Sequence, residues 1–460
     1  MRHLRLIGVL TAAACVFTSG AVLAQAKQEA GVERYVREPT PPGVKVFPSK
    51  LDGPVYTDES GRTLYQWPRK ELRNGGTGDM KGAASICDNT KATENIGLMS
   101  PYPPGLALPD VATRQSCEQM WPPAVAAADA KPVGKWTVLK RKDGRNQWAY
   151  DGFVLYTSSM DKKPGDTIGG NNLGRSSNSP PGSPGGDAPV ARVPIGPSPD
   201  VPGQFVVEQT LVGRQLILST LFSVYTWDGD RPNKSNCDEA CLKSWQPVLA
   251  PQIGAATREE WSVIERSPGV KQWAYRGRPL YTYVGDPSPG YQHGVDVPGW
   301  NLVFTQLAPS APAEFTQQVS AAGIVLADSK GKTLYIYNCG DDAADQLACD
   351  HPDTPQEYRY AVCGGGSQAK CLTTFPYVLA QAGAKSNEAW TVKAIDPATG
   401  KSAAPGQADA LQVWAYRDRP VFTFVRDERP GMIKAQNWGE FYGQRNGYKA
   451  FFLREEFQGR

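Results

Sequence analysis

Lys271-Gln272-Trp273-Ala274-Tyr275-Arg276-Gly277-Arg278-Pro279-Leu280-Tyr281-Thr282-Tyr283-Val284-Gly285-Asp286 contains a complete hairpin signal. A β-prone run ends in Trp and Tyr, Arg276-Gly277 supplies a turn with glycine where positive φ is needed, and a second aromatic strand follows. Working outward, the same unit occurs three times. Copy one has Trp136-Thr137-Val138, Gln147-Trp148-Ala149-Tyr150 and Leu155-Tyr156-Thr157; copy two has Trp261-Ser262-Val263 before the quoted stretch; copy three has Trp390-Thr391-Val392, Val413-Trp414-Ala415-Tyr416 and Val421-Phe422-Thr423. The interval between the two Trp residues is identical in copies one and two and longer in copy three, where Asp396 to Ala410 reads as an inserted loop. Self-similarity of this kind marks a duplicated folding unit.

A cysteine stands at a nearly constant distance before the first Trp of each copy: Cys117, Cys241 and Cys371. The chain has nine cysteines. Cys15 falls in an amino-terminal export signal, which leaves Cys87, Cys117, Cys237, Cys241, Cys339, Cys349, Cys363 and Cys371. An even set in an exported chain points to disulfides. By position Cys87 pairs with Cys117 and Cys237 with Cys241. In copy three, Cys339, Cys349 and Cys363 all compete for Cys371; Cys349 is favoured, which leaves Cys339 for Cys363. Only His293 and His351 could add imidazole ligands after the signal, and there is no C-x-x-C pair, so no metal or haem site is expected.

The export signal is a basic start (Arg2, Arg5), an apolar stretch from Leu6 to Phe17 and an A-x-A site ending at Ala26. Cutting after Ala24 is the close alternative, and lipid attachment at Cys15 is the less favoured one. No later run approaches the ~20 apolar residues a membrane helix needs. The formal charge of +3 falls once Arg2 and Arg5 are removed, and the other charges are interspersed, so no nucleic-acid partner is implied.

The expected architecture is all-β with minor helix. Residues 1–26 are signal, 27–49 an extended lead-in, 50–164 module 1, 165–203 a Gly/Pro/Ser-rich linker, 204–307 module 2, 308–313 a short linker and 314–460 module 3. Each module is expected to be a small barrel or sandwich with two related halves. The alternative is one propeller-like closed array of six half-modules.

These residues resemble the secreted-repeat family of predicted lipoproteins with a Y-x-(F/W/Y)-x-x-D motif. Tyr225-Thr226-Trp227-Asp228-Gly229-Asp230 and Tyr281-Thr282-Tyr283-Val284-Gly285-Asp286 match the motif fully. Four instances depart: Tyr65-Gln66-Trp67 has Lys70 in the acidic place, Tyr156 to Asp161 has Ser158 for the aromatic, Tyr335-Ile336-Tyr337 has Gly340 for the acid, and Phe422-Thr423-Phe424 keeps Asp427 but lacks the Tyr. The resemblance implies export and repetition and transfers no catalytic residue.

Tyr225, Trp227, Asp230, Tyr281, Tyr283, Asp286, Phe422, Phe424 and Asp427 are the candidate ligand-binding residues. Aromatic faces beside carboxylates suit a small ligand, whereas i, i+2 aromatics ended by a turn-forming Asp equally suit the core of a sheet. The Asp161 to Asp166 turn lacks the carboxylate ladder of a calcium loop. His293 and His351, outside any nucleophile setting, read as surface residues, so no catalytic residue is assigned. The expected function is that of an exported, non-catalytic periplasmic or cell-surface binding or structural module. It needs no cofactor, and its partner is an unspecified envelope component or small ligand. The alternatives are an accessory of envelope electron transfer or metal handling, and a carboxylate-based hydrolase.

Overall fold

Turn chemistry sets the hairpins. Arg276 (φ 49°) and Gly277 (φ 73°) both lie in the left-handed region, as do Asp151 (51°) and Gly152 (83°). A two-residue turn matched to the twist of its strands requires this conformation. Copy three places Arg417 (46°) and Asp418 (63°) there without a glycine. Both side chains are tied down: Arg417 to Asp52, and Asp418 to His351 and Lys393. The hairpins then align identically, with Trp136 opposite Tyr150, Trp261 opposite Tyr275 and Trp390 opposite Tyr416.

The computed structural model describes residues 32–67, 80–91, 93–94, 111–170, 193–255, 257–338, 350–354, 356–364, 366–439 and 447–456. Their regular secondary structure is nearly all strand with a few short helices, and among the described residues no helix is long and apolar enough to cross a membrane. Copy two shows the plan most clearly. The hairpin Phe205–Gln209/Gly213–Leu218 and the hairpin Trp261–Ser267/Val270–Tyr275 flank a four-stranded antiparallel sheet. That sheet runs Trp245–Pro247, Tyr281–Tyr283, Tyr225–Trp227, Trp300–Leu302. Its middle pair is Tyr225 opposite Tyr281, so the two halves of the copy are related by a pseudo-twofold through that pair. Trp245 and Trp300, one from each half, stack with centroids 3.5 Å apart and planes 3° apart. In copy three Phe375 and Tyr448 repeat this stack at 3.6 Å and 2°.

Among the described residues the sheets are open, so the small-barrel expectation is not met. Each copy instead divides its core into two aromatic-rich clusters. Strand pairing stays within a copy. The strand Lys45–Ser49, in the stretch read as lead-in, pairs with Gly53–Thr57. From the linker, Val193–Pro194 pairs with Tyr65–Gln66.

The copies are cemented by hairpin tips and buried ions. Leu51 from copy one and Leu211 from copy two enter the copy-three core with Trp390 and Trp414. Asp52 receives both ends of the Arg417 guanidinium at 2.8 and 2.9 Å, with both side chains buried. Burial alone would raise the Asp52 carboxyl, but Arg417 overrides it and holds the group below its usual range. Glu33 receives Arg214 in the same forked manner, at 2.8 Å twice.

Disulfides close Cys87 to Cys117, Cys237 to Cys241 and Cys363 to Cys371, with Cα separations of 5.3, 5.2 and 5.0 Å. The third replaces the expected bond from Cys371 to Cys349. Cys363 ends the helix Glu357–Gly364 and Cys371 lies in the helix Gln368–Thr374, and the packing of these two helices brings the sulfurs together. Cys15, Cys339 and Cys349 lie outside the described residues.

Candidate functional site

The Tyr and Asp of the motif come together, but not within one motif. The Tyr225 hydroxyl donates to Asp286 (2.7 Å), and the Tyr281 hydroxyl donates to Asp230 (2.8 Å). Each motif strand lies beside the other on the pseudo-twofold, so each Tyr reaches the carboxylate that ends its neighbour. Copy one keeps half of this exchange in Tyr65 to Asp161 (2.7 Å), and copy three keeps half in Tyr335 to Asp427 (2.6 Å).

Every one of these carboxylates has a second duty. Asp286 accepts the His293 backbone N–H (2.7 Å), Asp427 that of Lys434 (3.0 Å), Asp161 that of Gly169 (3.0 Å) and Asp230 that of Asn236 (2.7 Å). The acid therefore closes the loop that follows it and clamps that loop to the opposite half. Burial raises the carboxyls of Asp286, Asp427 and Asp230, and raises Asp161 to about 7, while the Tyr hydrogen bond pulls each back down. Burial also raises the tyrosines, Tyr281 to about 12, so the hydroxyls stay protonated as donors.

The departures from the motif follow this pairing. Phe422 has no hydroxyl to donate, and the acid it would have met is replaced by Gly340. Tyr156, whose acid is replaced by Lys70, bonds Ser85 Oγ instead (2.6 Å). Ser235 meets Tyr281 likewise (2.7 Å). Both serines stand two residues before a bonded cysteine and accept its backbone N–H. A second linked set was missed from sequence. Arg141 donates to Gln147 Oε1 and Cys87 O, and Arg266 to Gln272 Oε1 and Cys237 O. Copy three replaces both members with Ile395 and Val413, each fully buried. Losing donor and acceptor together avoids an orphaned polar group. The signal that could have revealed this set is the constant place of Arg after the first Trp and of Gln before the second.

The candidate residues thus lie mostly inside. Tyr225 and Tyr281 are 0 % exposed, and Asp286, Phe422, Phe424 and Asp427 are buried; Trp227, Tyr283 and Asp230 are half-buried. The last three sit at the edge of the core. Trp227 stacks on Trp300 at 5.6 Å, Trp300 on Trp245, and Trp245 leans on Tyr283 at 4.5 Å, which makes a four-ring column across the copy. Gly229 and Gly285 are required by it, since an added Cβ would overlap the Trp227 or the Tyr283 ring.

Two segments, residues 137–174 and 262–302, match one family model. Both are similar to a secreted repeat of unknown function. Each matched segment of the secreted repeat runs from the first Trp strand through the motif acid, Asp161 or Asp286, and the loop that acid closes. Residues 391–427 of copy three repeat the same hairpin register and the same Tyr–Asp bond. The secreted repeat and the disulfides mark an exported chain. No curated protein and no solved structure matches it.

The two histidines differ. His293 is partly exposed, its ring Nδ1 3.2 Å from Gly285 O. His351 corrects the surface reading: it is 6 % exposed, with Nε2 2.9 Å from Asp418. The Asp418 turn folds over it, so it acts as a tether between the helical segment and the hairpin. In the Asp161 to Asp166 turn, Asp166 accepts the N–H groups of Lys162 and Lys163, so its oxygens order the turn itself. Among the described residues no group of three or more His, Cys, Asp or Glu is placed to hold a metal ion.

Between copies two and three, along Leu307 to Ala313, lies a cavity of about 830 Å³ that is partly open to solvent. Leu211, Trp300, Phe304, Phe315 and Trp390 form apolar walls.

Proposed function

We propose that this chain is a non-catalytic binding protein of the periplasm or cell surface, in which the Tyr–Asp motif is the lock of the scaffold and the junction of copies two and three receives a small ligand. The observation that carries the reading is the aromatic-walled cavity held between disulfide-closed modules. Its size falls in the range of small-molecule sites, about 300–1,000 Å³. The motif supports the scaffold half of the reading, because its hydroxyls and carboxylates are engaged with each other and with loop backbone. Native mass spectrometry of the mature chain from its own envelope tests it. The expected result is a small molecule that is released on unfolding and is absent from Ala311→Trp, which fills the cavity from the linker wall. An unliganded chain, or a molecule retained equally by Ala311→Trp, overturns the reading.

Contact with an electron carrier is a second reading, favoured by the column Trp227, Trp300, Trp245, Tyr283 with half-buried rings at both ends. Stopped-flow oxidation by hexachloroiridate(IV) separates the two: the column reading expects Trp227→Leu to slow the reaction, and an unchanged rate removes it.

A further inference from the structure

Packing alone does not ask for the rings that copy two uses in its column. Copy three has the same four places: Tyr337 pairs with Tyr448 as Trp227 pairs with Trp300. Phe375 follows its cysteine by the same step as Trp245, and Phe424 precedes its motif acid by the same step as Tyr283. The counterparts meet in the same order, Tyr337 with Tyr448 at 5.3 Å, Tyr448 with Phe375 at 3.6 Å and Phe375 with Phe424 at 4.9 Å. Two of those rings are phenylalanine, which mild one-electron oxidants leave alone, and both end rings are buried, Tyr337 at 2 % and Phe424 at 1 % exposed. In copy two every ring of the column is Trp or Tyr, and both end rings are half-buried. Copy two therefore carries an oxidisable path from surface to core that the fold itself does not require.

Two tyrosines border this path. Tyr225 meets Trp245 at 5.3 Å and Tyr281 meets Trp300 at 5.0 Å, both edge to face. A tyrosine loses its proton as it is oxidised, so a base on its hydroxyl makes it the favoured place for the electron vacancy to settle. Asp286 and Asp230 are those bases, and they differ. Arg266 and Arg278 draw Asp230 toward its ionised form, and Ser235 shares the Tyr281 hydroxyl. Asp286 is 6 % exposed, burial raises its carboxyl, and its Oδ2 stands 2.7 Å from the Tyr225 hydroxyl. It is the readier proton acceptor of the two. Tyr225 is 0 % exposed, so a dissolved oxidant reaches it only through the neighbouring rings.

We infer that copy two carries a redox site in which Tyr225 is the internal electron donor and Asp286 takes its proton. The co-reactant is a one-electron acceptor docked beside Trp227. Trp227 gives it one electron, and the vacancy passes through Trp300 to Trp245. Tyr225 fills that vacancy as its O–H bond breaks and an O–H bond forms on Asp286 Oδ2, while Asp286 Oδ1 keeps the His293 N–H (2.7 Å). The products are a neutral tyrosyl radical, a neutral carboxyl and the acceptor reduced by one electron; a returning electron reverses the step. This deepens the electron-carrier reading above and rests on it.

The test mixes the full mature chain with hexachloroiridate(IV), follows iridium reduction by absorbance and traps the radicals by freeze-quench for electron paramagnetic resonance. In wild type an indole signal is expected to convert into a tyrosyl signal, more slowly in D2O than in H2O because a proton moves with the electron. Tyr225→Phe is expected to lose the tyrosyl signal and keep the indole one. Asp286→Asn keeps an oxygen for the hydroxyl but cannot take its proton, and is expected to lose the tyrosyl signal as well. Circular dichroism checks that both variants are folded, and the comparison of D2O with H2O needs no variant. A tyrosyl signal that persists in Tyr225→Phe or in Asp286→Asn, or equal conversion rates in the two solvents, overturns the site; the column reading then stands if Trp227→Leu still slows iridium reduction. An unchanged rate in Trp227→Leu overturns both.

Discussion

Replacing Tyr225 with Phe removes one hydroxyl and almost no volume, so it isolates the Tyr–Asp lock. The bond lost is 2.7 Å long and made to a buried carboxylate by a side chain 0 % exposed. Hydrogen bonds to charged groups contribute about 1.5–3 kcal/mol, and the Asp286 carboxylate keeps the His293 N–H after the change, so Tyr225→Phe should cost about that much. Asp286→Ala loses the same bond and also leaves the Tyr225 hydroxyl and the His293 N–H without their acceptor, which should bring its cost to roughly 3–5 kcal/mol. The double variant should then cost less than the sum by about 1.5–3 kcal/mol, since the hydroxyl stranded by Asp286→Ala is absent. Urea unfolding of the unreduced mature chain, followed by tryptophan fluorescence and by circular dichroism, gives the four free energies where the two transitions coincide. Additivity to within about 0.5 kcal/mol would refute the reasoning, because residues that share no interaction add in this way.

Further outcomes follow from the same geometry. Asp161 is raised by burial to about 7. A carboxyl raised in the folded state contributes stability that is fully present below its unfolded value near 4 and is lost as pH rises through 7. The unfolding midpoint of wild type should therefore fall over that window by the equivalent of up to about 4 kcal/mol, and Asp161→Asn should flatten the profile. Arg417→Met strands the buried Asp52 and should destabilise the chain by about 3–5 kcal/mol, with Asp52→Leu in the same chain recovering most of the loss; equal unfolding midpoints for single and double variants would contradict this. Peptide mapping without reduction should recover Cys363 joined to Cys371; recovery of Cys349 joined to Cys371 would show the helical segment of copy three to be wrongly placed.

Recurrence made the hairpins readable: Gln272-Trp273-Ala274-Tyr275 and its counterparts set both the strand and the register, and the turn residues after them fixed where each strand reverses. The minor helix was readable too, since each copy places its second bonded cysteine in a short helical turn. The crossing of the motifs was not. Tyr225 and Asp230 are close in sequence and suggest one unit, while their partners lie 61 and 51 residues away, brought alongside by sheet pairing that no local pattern encodes. For the same reason the replacement of the motif Tyr by Phe422 and of the acid by Gly340 looked like two separate losses rather than one. Cys363 was passed over because its reach depends on how two short helices pack. The cavity arises only when copies two and three meet, so its walls come from residues such as Leu211 and Trp390 that each read as ordinary core.

The exchange of partners between the motifs is the claim on which the rest depends, and carboxyl ¹³C NMR can observe it residue by residue. Titrating Asp230 and Asp286 in wild type and in Tyr225→Phe should show the Asp286 midpoint moving upward when the hydroxyl that holds it down is removed, with Asp230 unmoved. If Asp230 shifts instead and Asp286 stays in place, each Tyr serves the acid of its own motif and the crossed lock does not exist.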